Sequence, residues 1–188
     1  MYSINLYEQW VFDAVSKAGL QVFIPYKDKG VDAVLTDGSS KFLRIQVKGS
    51  RSFVHPDNIN GWYVINPDKL EKSASMTDLW VFVWGEPGKG GAFEPQFVAL
   101  PPKDLYARYV TRTIHNIIDE EEPSKDGRWH IYLGRVPGRS DVVDFRGLTN
   151  DLFTQPPKQR IYSSYVVRNW KDTFDSFPQC SPSLVGGG

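Results

Sequence analysis

Three polar side chains stand in the stretch GVDAVLTDGSSKFLRIQVKGSR, residues 30–51, at positions where hydrophobes would pack better: Asp32, Gln46 and Lys48. A carboxylate, an amide and an ammonium on neighbouring strands can do one kind of work together. Carboxylate and amide oxygens bind a hard dication such as Mg²⁺. A lysine one strand position away orients a water, deprotonates it when its amine is neutral, or as the ammonium offsets charge on a phosphate. Unpaired polar groups beside an apolar sheet cost free energy, so such a cluster needs a reason.

The elements that must position these residues can be read from the pattern. Side chains alternate along a strand, so Arg44, Gln46 and Lys48 of FLRIQVKG share one face while Ile45 and Val47 share the other. VDAVLT and KFLRIQVKG form a hairpin around Asp37-Gly38, a strong turn signal. Val31, Ala33 and Leu35 point one way and Asp32 the other; if Asp32 joins the Gln46 and Lys48 face, the hairpin carries Asp, Gln and Lys in one cluster. Residues 4–18 are helical by period, with Tyr7, Trp10, Val11, Ala14 and Ala18 in step and Gly19 as the stop. Glu8 falls between Val15 and Phe12 on that wheel, a carboxylate on the apolar side of its helix.

Each signal also has a plainer reading. Gln-x-Lys in a strand is common by chance. Asp32 can accept turn or backbone hydrogen bonds, Lys48 can reach past the apolar surface to water, and Glu8 can be a helix N-terminal carboxylate favoured by the dipole. Asp32 and Lys48 lie at a rim of the sheet, so replacing either by alanine is expected to change stability little.

Composition bounds the rest. The 188 residues, 40% hydrophobic and 14% aromatic, suffice for one domain with a modest extension and a real core. Twenty-two basic residues balance twenty-two acidic ones, so net charge names no partner, and any basic face must be offset elsewhere. Cys180 is the single cysteine, which excludes an intramolecular disulfide, and the three histidines lack ligand spacing, which argues against zinc. The N-terminus lacks a signal-peptide pattern, and LWVFVW, residues 79–84, is too short to span a bilayer. The expectation is a cytoplasmic, intracellular protein with no membrane association.

Further along, GWYVIN (61–66) and LWVFVWGE (79–86) read as interior strands, with one short helix in PDKLEKSASMTD between them. GEPGKGG (85–91) lacks the spacing and the Ser/Thr of a phosphate loop and reads as a hairpin loop. RWHIYLGR (128–135) reads as a strand, 117–127 as an acidic surface loop, and 160–174 as a helix through Tyr162, Tyr165, Val166, Asn169 and Trp170. The expected fold is α/β, a central mixed β-sheet flanked by helices. Residues 1–110 form the core, 111–180 a C-terminal extension packed on it, and 181–188 a disordered tail. Arg51, Arg135 and Arg139, with Arg146 nearby, are candidate phosphate contacts, and Trp62 and Trp170 are candidates for stacking on bases.

Helix-borne Glu8, then Asp32 opening a strand, then a hairpin to Gln46-x-Lys48 resembles the PD-(D/E)XK nuclease superfamily, whose fold is restriction-endonuclease-like. The Gln form, IQVKG, is similar to Mrr-like restriction endonucleases and to Holliday-junction-resolvase-like and homing-endonuclease branches. The resemblance runs from residue 4 to about residue 110; residues 111–188 carry no part of it. It implies a central sheet flanked by helices and an endonuclease that hydrolyses DNA phosphodiesters with Mg²⁺, or Mn²⁺ in its place. It further implies Glu8 and Asp32 as metal ligands, Gln46 as a weaker ligand through its side-chain oxygen, and Lys48 as the water-activating residue. Two positions depart from the pattern: Val31 stands where the family name has proline, and Gln46 where it has an acid, which removes one negative charge from the site. The rival readings are a non-catalytic relative that binds nucleic acid or a protein on the same sheet, and a small-molecule-binding α/β protein, for which no motif speaks. DNA is the implied partner, and a homo-oligomer is left open.

Overall fold

The computed structural model describes residues 4–26, 30–55, 58–88, 90–114, 127–136, 139–146, 156 and 158–177. The acidic stretch 117–126, His115 and the tail 181–188 lie outside the described residues. The first helix, α1 (Leu6–Lys17), starts at Asn5, whose side chain accepts from the backbone of Tyr7 and Glu8. It buries Val11, Phe12 and Val15; of the predicted stripe only Val11 is fully buried, while Tyr7, Trp10, Ala14 and Ala18 are half-buried against the same cluster, so the buried face is turned toward Glu8.

Five strands form the central sheet in the order β1 (Gln21–Phe23), β2 (Ala33–Thr36), β3 (Phe42–Gly49), β6 (Leu79–Pro87), β7 (Phe93–Leu100). Neighbours are antiparallel except β3 and β6, which run parallel from Ile45↔Leu79 to Gly49↔Val83. The fold is thus α/β with a mixed sheet, as the sequence pattern predicts. The β2–β3 connection is wider than a two-residue turn, because Thr36 pairs with Phe42. Gly38, at φ 87°, takes the left-handed conformation that this loop needs.

A parallel pair cannot be closed by a tight turn, so residues 50–78 cross one face of the sheet. That crossover holds β4 (Ser52–His55), β5 (Asn58–Ile65) and α2 (Pro67–Ser73). The strands β4 and β5 join β8 (Trp129–Arg135) and β9 (Val142–Asp144) in a second, antiparallel sheet of order β4-β5-β8-β9. Among the described residues the remaining α-helices are α3 (Pro102–Ile114) and α4 (Trp170–Ser176).

Two hydrophobic clusters, one on each face of the central sheet, make three layers. Leu79, Val81 and Val83 of β6 pack with Val11 and Val15 of α1 and with Trp170 and Phe174 of α4. Trp80, Phe82 and Trp84, pointing the other way, pack with Tyr63 and Ile65 of β5, Leu70 of α2, Leu105 of α3 and Ile131 of β8. Strand β6 is buried on both faces, which explains its unbroken apolar run. Among the described residues no helix is long and apolar enough to cross a membrane.

Three local expectations are corrected. Strand β5 is not interior on both faces: Tyr63 and Ile65 are buried, whereas Trp62 and Val64 are 49% and 46% exposed. Residues 160–174 are not one helix. They form two 3₁₀ turns (Lys158–Arg160 and Ser163–Tyr165) before α4, and Ile161 and Val166 make isolated bridges to Val143 and Val98. The apolar residues that mimic a helical period here strap the edges of both sheets. Trp170 is also no base platform, since it is buried edge-on against Phe97.

The C-terminal stretch therefore shares both hydrophobic clusters with the first 110 residues. Replacing Phe174, 1% exposed in the cluster under α1, with alanine should lower stability by about 3–5 kcal/mol. Urea unfolding checks this, and a loss below about 1 kcal/mol would mean that α4 is only loosely attached.

Candidate active site

On β3, Leu43, Ile45 and Val47 are buried beneath α1, while Arg44, Gln46 and Lys48 face the opposite side at intermediate exposure. The two faces divide as the alternation predicts. Gln46 pairs with Trp80 and Lys48 with Phe82 across the parallel ladder, so both polar side chains lie beside the aromatic face of β6. Lys48 Nζ stands 4.7 Å from the centroid of the Trp80 ring, a cation–π contact that fixes the ammonium over a nonpolar floor.

Asp32 precedes β2 and is 7% exposed. Its backbone N–H donates to Ile45 O at 2.9 Å. Its Oδ2 accepts from the Val47 N–H at 2.6 Å. With Ala33 opposite Ile45, the register sets Asp32 opposite Gln46. The carboxylate continues the ladder where the backbone of β2 has not yet joined it. This answers part of why an acid opens an apolar strand: it satisfies a donor of β3 that would otherwise be buried without a partner. The same bond fixes the orientation of the carboxylate on the strand next to Gln46 and Lys48.

Glu8 is 7% exposed, and its burial on the apolar side of α1 is as the wheel predicts. Its carboxylate closes a capping box: Oε2 accepts from Asn5 N at 3.1 Å and Oε1 from Asn5 Nδ2 at 2.7 Å. Asn-x-x-Glu before an apolar helix is a readable signal for this arrangement. The first turn of α1 lies at the Lys48 end of β3, because the Tyr7 ring covers Gly49 so closely that any Cβ there would collide with it. Glycine at 49 is what lets the helix start, and Glu8 with it, come this near the sheet.

Arg44, on the same strand face, is clamped to Asp78: Arg44 N and Nε donate to Oδ2 at 2.7 and 3.1 Å, and a guanidinium N–H donates to Oδ1 at 2.8 Å. The Asp78 N–H returns to Arg44 O at 2.8 Å. This pair ties the start of β6 to β3 and sets their parallel register beside the site.

A cleft of about 600 Å³ opens over Gln46 and Lys48. Lys69 and Lys72 of α2 and Arg128 before β8 add positive charge to Lys48 in its lining, and among the described lining residues none is acidic. These cations escape a reading centred on the Gln-x-Lys strand, because they come from two segments that only the tertiary fold brings over it.

The arginines read as phosphate contacts lie elsewhere. Arg135 donates to Glu86 Oε2 at 3.2 Å and also to Gln96, joining β8 to the first sheet. Burial pushes the Glu86 carboxyl up from its usual range, and Arg135 opposes that shift. Arg51 and Arg139 are exposed, in the β3–β4 and β8–β9 connections. The Gly-rich stretch is a hairpin connection closed by a Gly88 N–H to Ala92 O bond of 2.7 Å.

The ligands expected from the sequence are all oxygen donors, the Asp32 and Glu8 carboxylates and the Gln46 amide oxygen, but α1, which carries Glu8, packs on the sheet face opposite Gln46 and Lys48, and neither carboxylate lines their cleft. Among the described residues no group of three or more His, Cys, Asp or Glu side chains converges as a metal site. Oxygen donors fit a hard dication and not a soft one. Compared with family models, curated proteins and solved structures, the chain matches none.

The Asp32–Val47 bond overturns the expectation that Asp32 can be removed without loss of stability. Asp32→Ala should cost about 1–3 kcal/mol in urea unfolding, since it strands a buried N–H, whereas Asp32→Asn, whose amide oxygen still accepts, should lose much less. Equal stability of all three proteins would show that the bond contributes nothing.

Proposed function

We propose that this chain is a metal-dependent endodeoxyribonuclease of the restriction-endonuclease-like, PD-(D/E)XK kind, acting on DNA in the cytoplasm. One observation carries the reading. Gln46 and Lys48 line a cleft whose described charged residues are all cations, and Asp32 is anchored by backbone hydrogen bonds opposite Gln46. A cleft of one charge sign collects a polyanion, and a carboxylate of fixed orientation on the strand beside Gln46 is a candidate ligand for a cation.

Asp32 is the first ligand in this reading, because Val47 holds its orientation. Gln46 contributes a neutral oxygen and Glu8 a second carboxylate, which would have to exchange some of its present bonds, such as those to Asn5, for the cation. A bound Mg²⁺ or Mn²⁺ would offset charge on the phosphate and make water more acidic. Lys48 binds a non-bridging phosphate oxygen and orients the attacking water, and Trp80 limits where its ammonium can move. Lys69, Lys72 and Arg128 hold the neighbouring phosphates.

A non-catalytic binder of nucleic acid on the same face is the second reading. It is favoured by the hydrogen bonds that already engage Glu8 and Asp32.

The test is cleavage of supercoiled, linear and branched DNA by the pure protein with Mg²⁺ or Mn²⁺. Lys48→Ala and Asp32→Asn should each lower cleavage by about 100-fold or more with the fold intact. Gln46→Glu should tighten Mg²⁺ in a calorimetric titration, and Gln46→Leu should weaken it. Cleavage unchanged in Lys48→Ala removes the nuclease assignment, and DNA binding without any cleavage by the wild type selects the second reading.

A further inference from the structure

The outer face of the second sheet carries an aromatic cluster that the proposed chemistry does not use. Trp62 on β5 is 49% exposed. On the facing strand its pair is Tyr132, with ring centroids 5.9 Å apart and planes at 79°. Its diagonal neighbour His130 has its centroid 5.8 Å away at 31°. The indole N–H donates to His130 Nδ1 at 3.1 Å, so the ring is held in one orientation. Such an indole, half-exposed and fixed, is a preformed surface for stacking.

This cluster is continuous with the cationic cleft. Val64 follows Trp62 on the same strand face, is 46% exposed and pairs with His130, and it is also a wall of the cleft. From Val64 the lining runs to Lys69 and Lys72 on α2 and to Lys48 on β3, with Arg128 two residues before His130. In the wall, the Trp80 indole N–H has no hydrogen-bond partner among the described residues, although that residue is only 3% exposed.

We propose that this track, from Lys48 through Lys69, Lys72 and Arg128 to Trp62, binds single-stranded DNA, with phosphates along the cations and an unpaired base stacked on Trp62. Charge complementarity selects a polyanion. The aromatic end selects among polyanions, because a paired and stacked base has no free face to offer an indole, whereas an unpaired base does. A folded protein partner would meet four cations and no acid in the cleft lining, which suits only an unusually acidic surface. The inference deepens the nuclease reading and rests on it for why a strand passes Lys48: the substrate would be DNA with a single-stranded stretch beside the bond that is cut.

The test is binding, measured by fluorescence anisotropy of a labelled oligothymidylate and of its duplex with oligoadenylate, in EDTA so that cleavage plays no part. The wild type should bind the single strand more tightly than the duplex. Trp62→Ala should weaken single-strand binding by about tenfold or more, Trp62→Phe should restore much of it, and neither should change duplex binding. Lys69→Gln with Lys72→Gln should reduce the slope of log affinity against log salt by about 1.4, roughly 0.7 per lost phosphate contact. Thermal unfolding of each variant separates lost binding from lost fold. Trp62→Ala binding the single strand as well as the wild type, or a wild type that prefers duplex, overturns the proposal. A chain that binds single strands through Trp62 and never cuts keeps this inference and drops the nuclease reading. A chain that cuts duplex unaffected by Trp62→Ala does the reverse.

Discussion

The parallel pairing of β3 with β6 is the constraint from which the rest of the architecture follows. Every other contact in the two sheets is antiparallel, and antiparallel neighbours can be joined locally. Here the chain must leave the end of β3, travel back along the sheet and re-enter beside it. It uses residues 50–78 to do so, on the face that carries Gln46, Lys48 and Trp80. The crossover could have been one helix. Instead it holds a hairpin and the short helix α2, and the hairpin recruits β8 and β9 into a second sheet. The cleft is the space between this crossover and the polar edge of the face it crosses.

Small polar devices then decide where the site side chains stand. The clamp between Arg44 and Asp78 combines a salt bridge of 2.8 Å with two backbone bonds, one in each direction. It fixes the register of the parallel pair at one end. At the other end Gly49 admits the Tyr7 ring, which sets the approach of α1. Between them the Asp32 carboxylate substitutes for a missing backbone acceptor. A charged acceptor in a buried hydrogen bond is worth more than a neutral one, which makes aspartate there useful to the fold before any chemistry is considered. Structural and functional uses of Asp32 are therefore not alternatives: orientation by Val47 is what a ligand at this position would need.

The parts of this arrangement visible in the sequence are those with a local signal. The helix period of α1, the alternation of β3 and the apolar run of β6 are each contained in one segment; β3 and β6 are buried as predicted, and α1 is a helix whose buried face is turned from the predicted stripe toward Phe12 and Val15. What escapes is set by distant partners. Strand β5 reads as interior because GWYVI is apolar, yet its Trp62 and Val64 face outward, since the outer side of the second sheet is covered at β9, by Val136, Phe145 and Ile161, and not at these two residues. Tyr162, Tyr165 and Val166 mimic a helical stripe, but Tyr162 is buried against the second sheet and Val166 bridges Val98 on the first. Tertiary pairing overrides the local preference there. The cleft is the extreme case: Lys48, Lys69, Lys72 and Arg128 lie on three segments, and no spacing rule connects them.

The same sorting explains how a chain with no net charge can present a cationic cleft. Twenty-two acids oppose twenty-two bases over the whole sequence, but many of the described acids have partners away from the cleft. Asp78 is taken by Arg44, Glu86 by Arg135, and Asp37 and Asp175 by Lys171. Asp144 accepts from the backbone of Tyr132 and Arg146. Each of the ion pairs offsets charge within a few ångströms, inside the screening length of about 8–10 Å at physiological salt. Among the described residues that line the cleft there is no acid. What a polyanion meets on approach is the local field of the cleft, and that field is set by how the fold distributes charge rather than by the sum over the sequence.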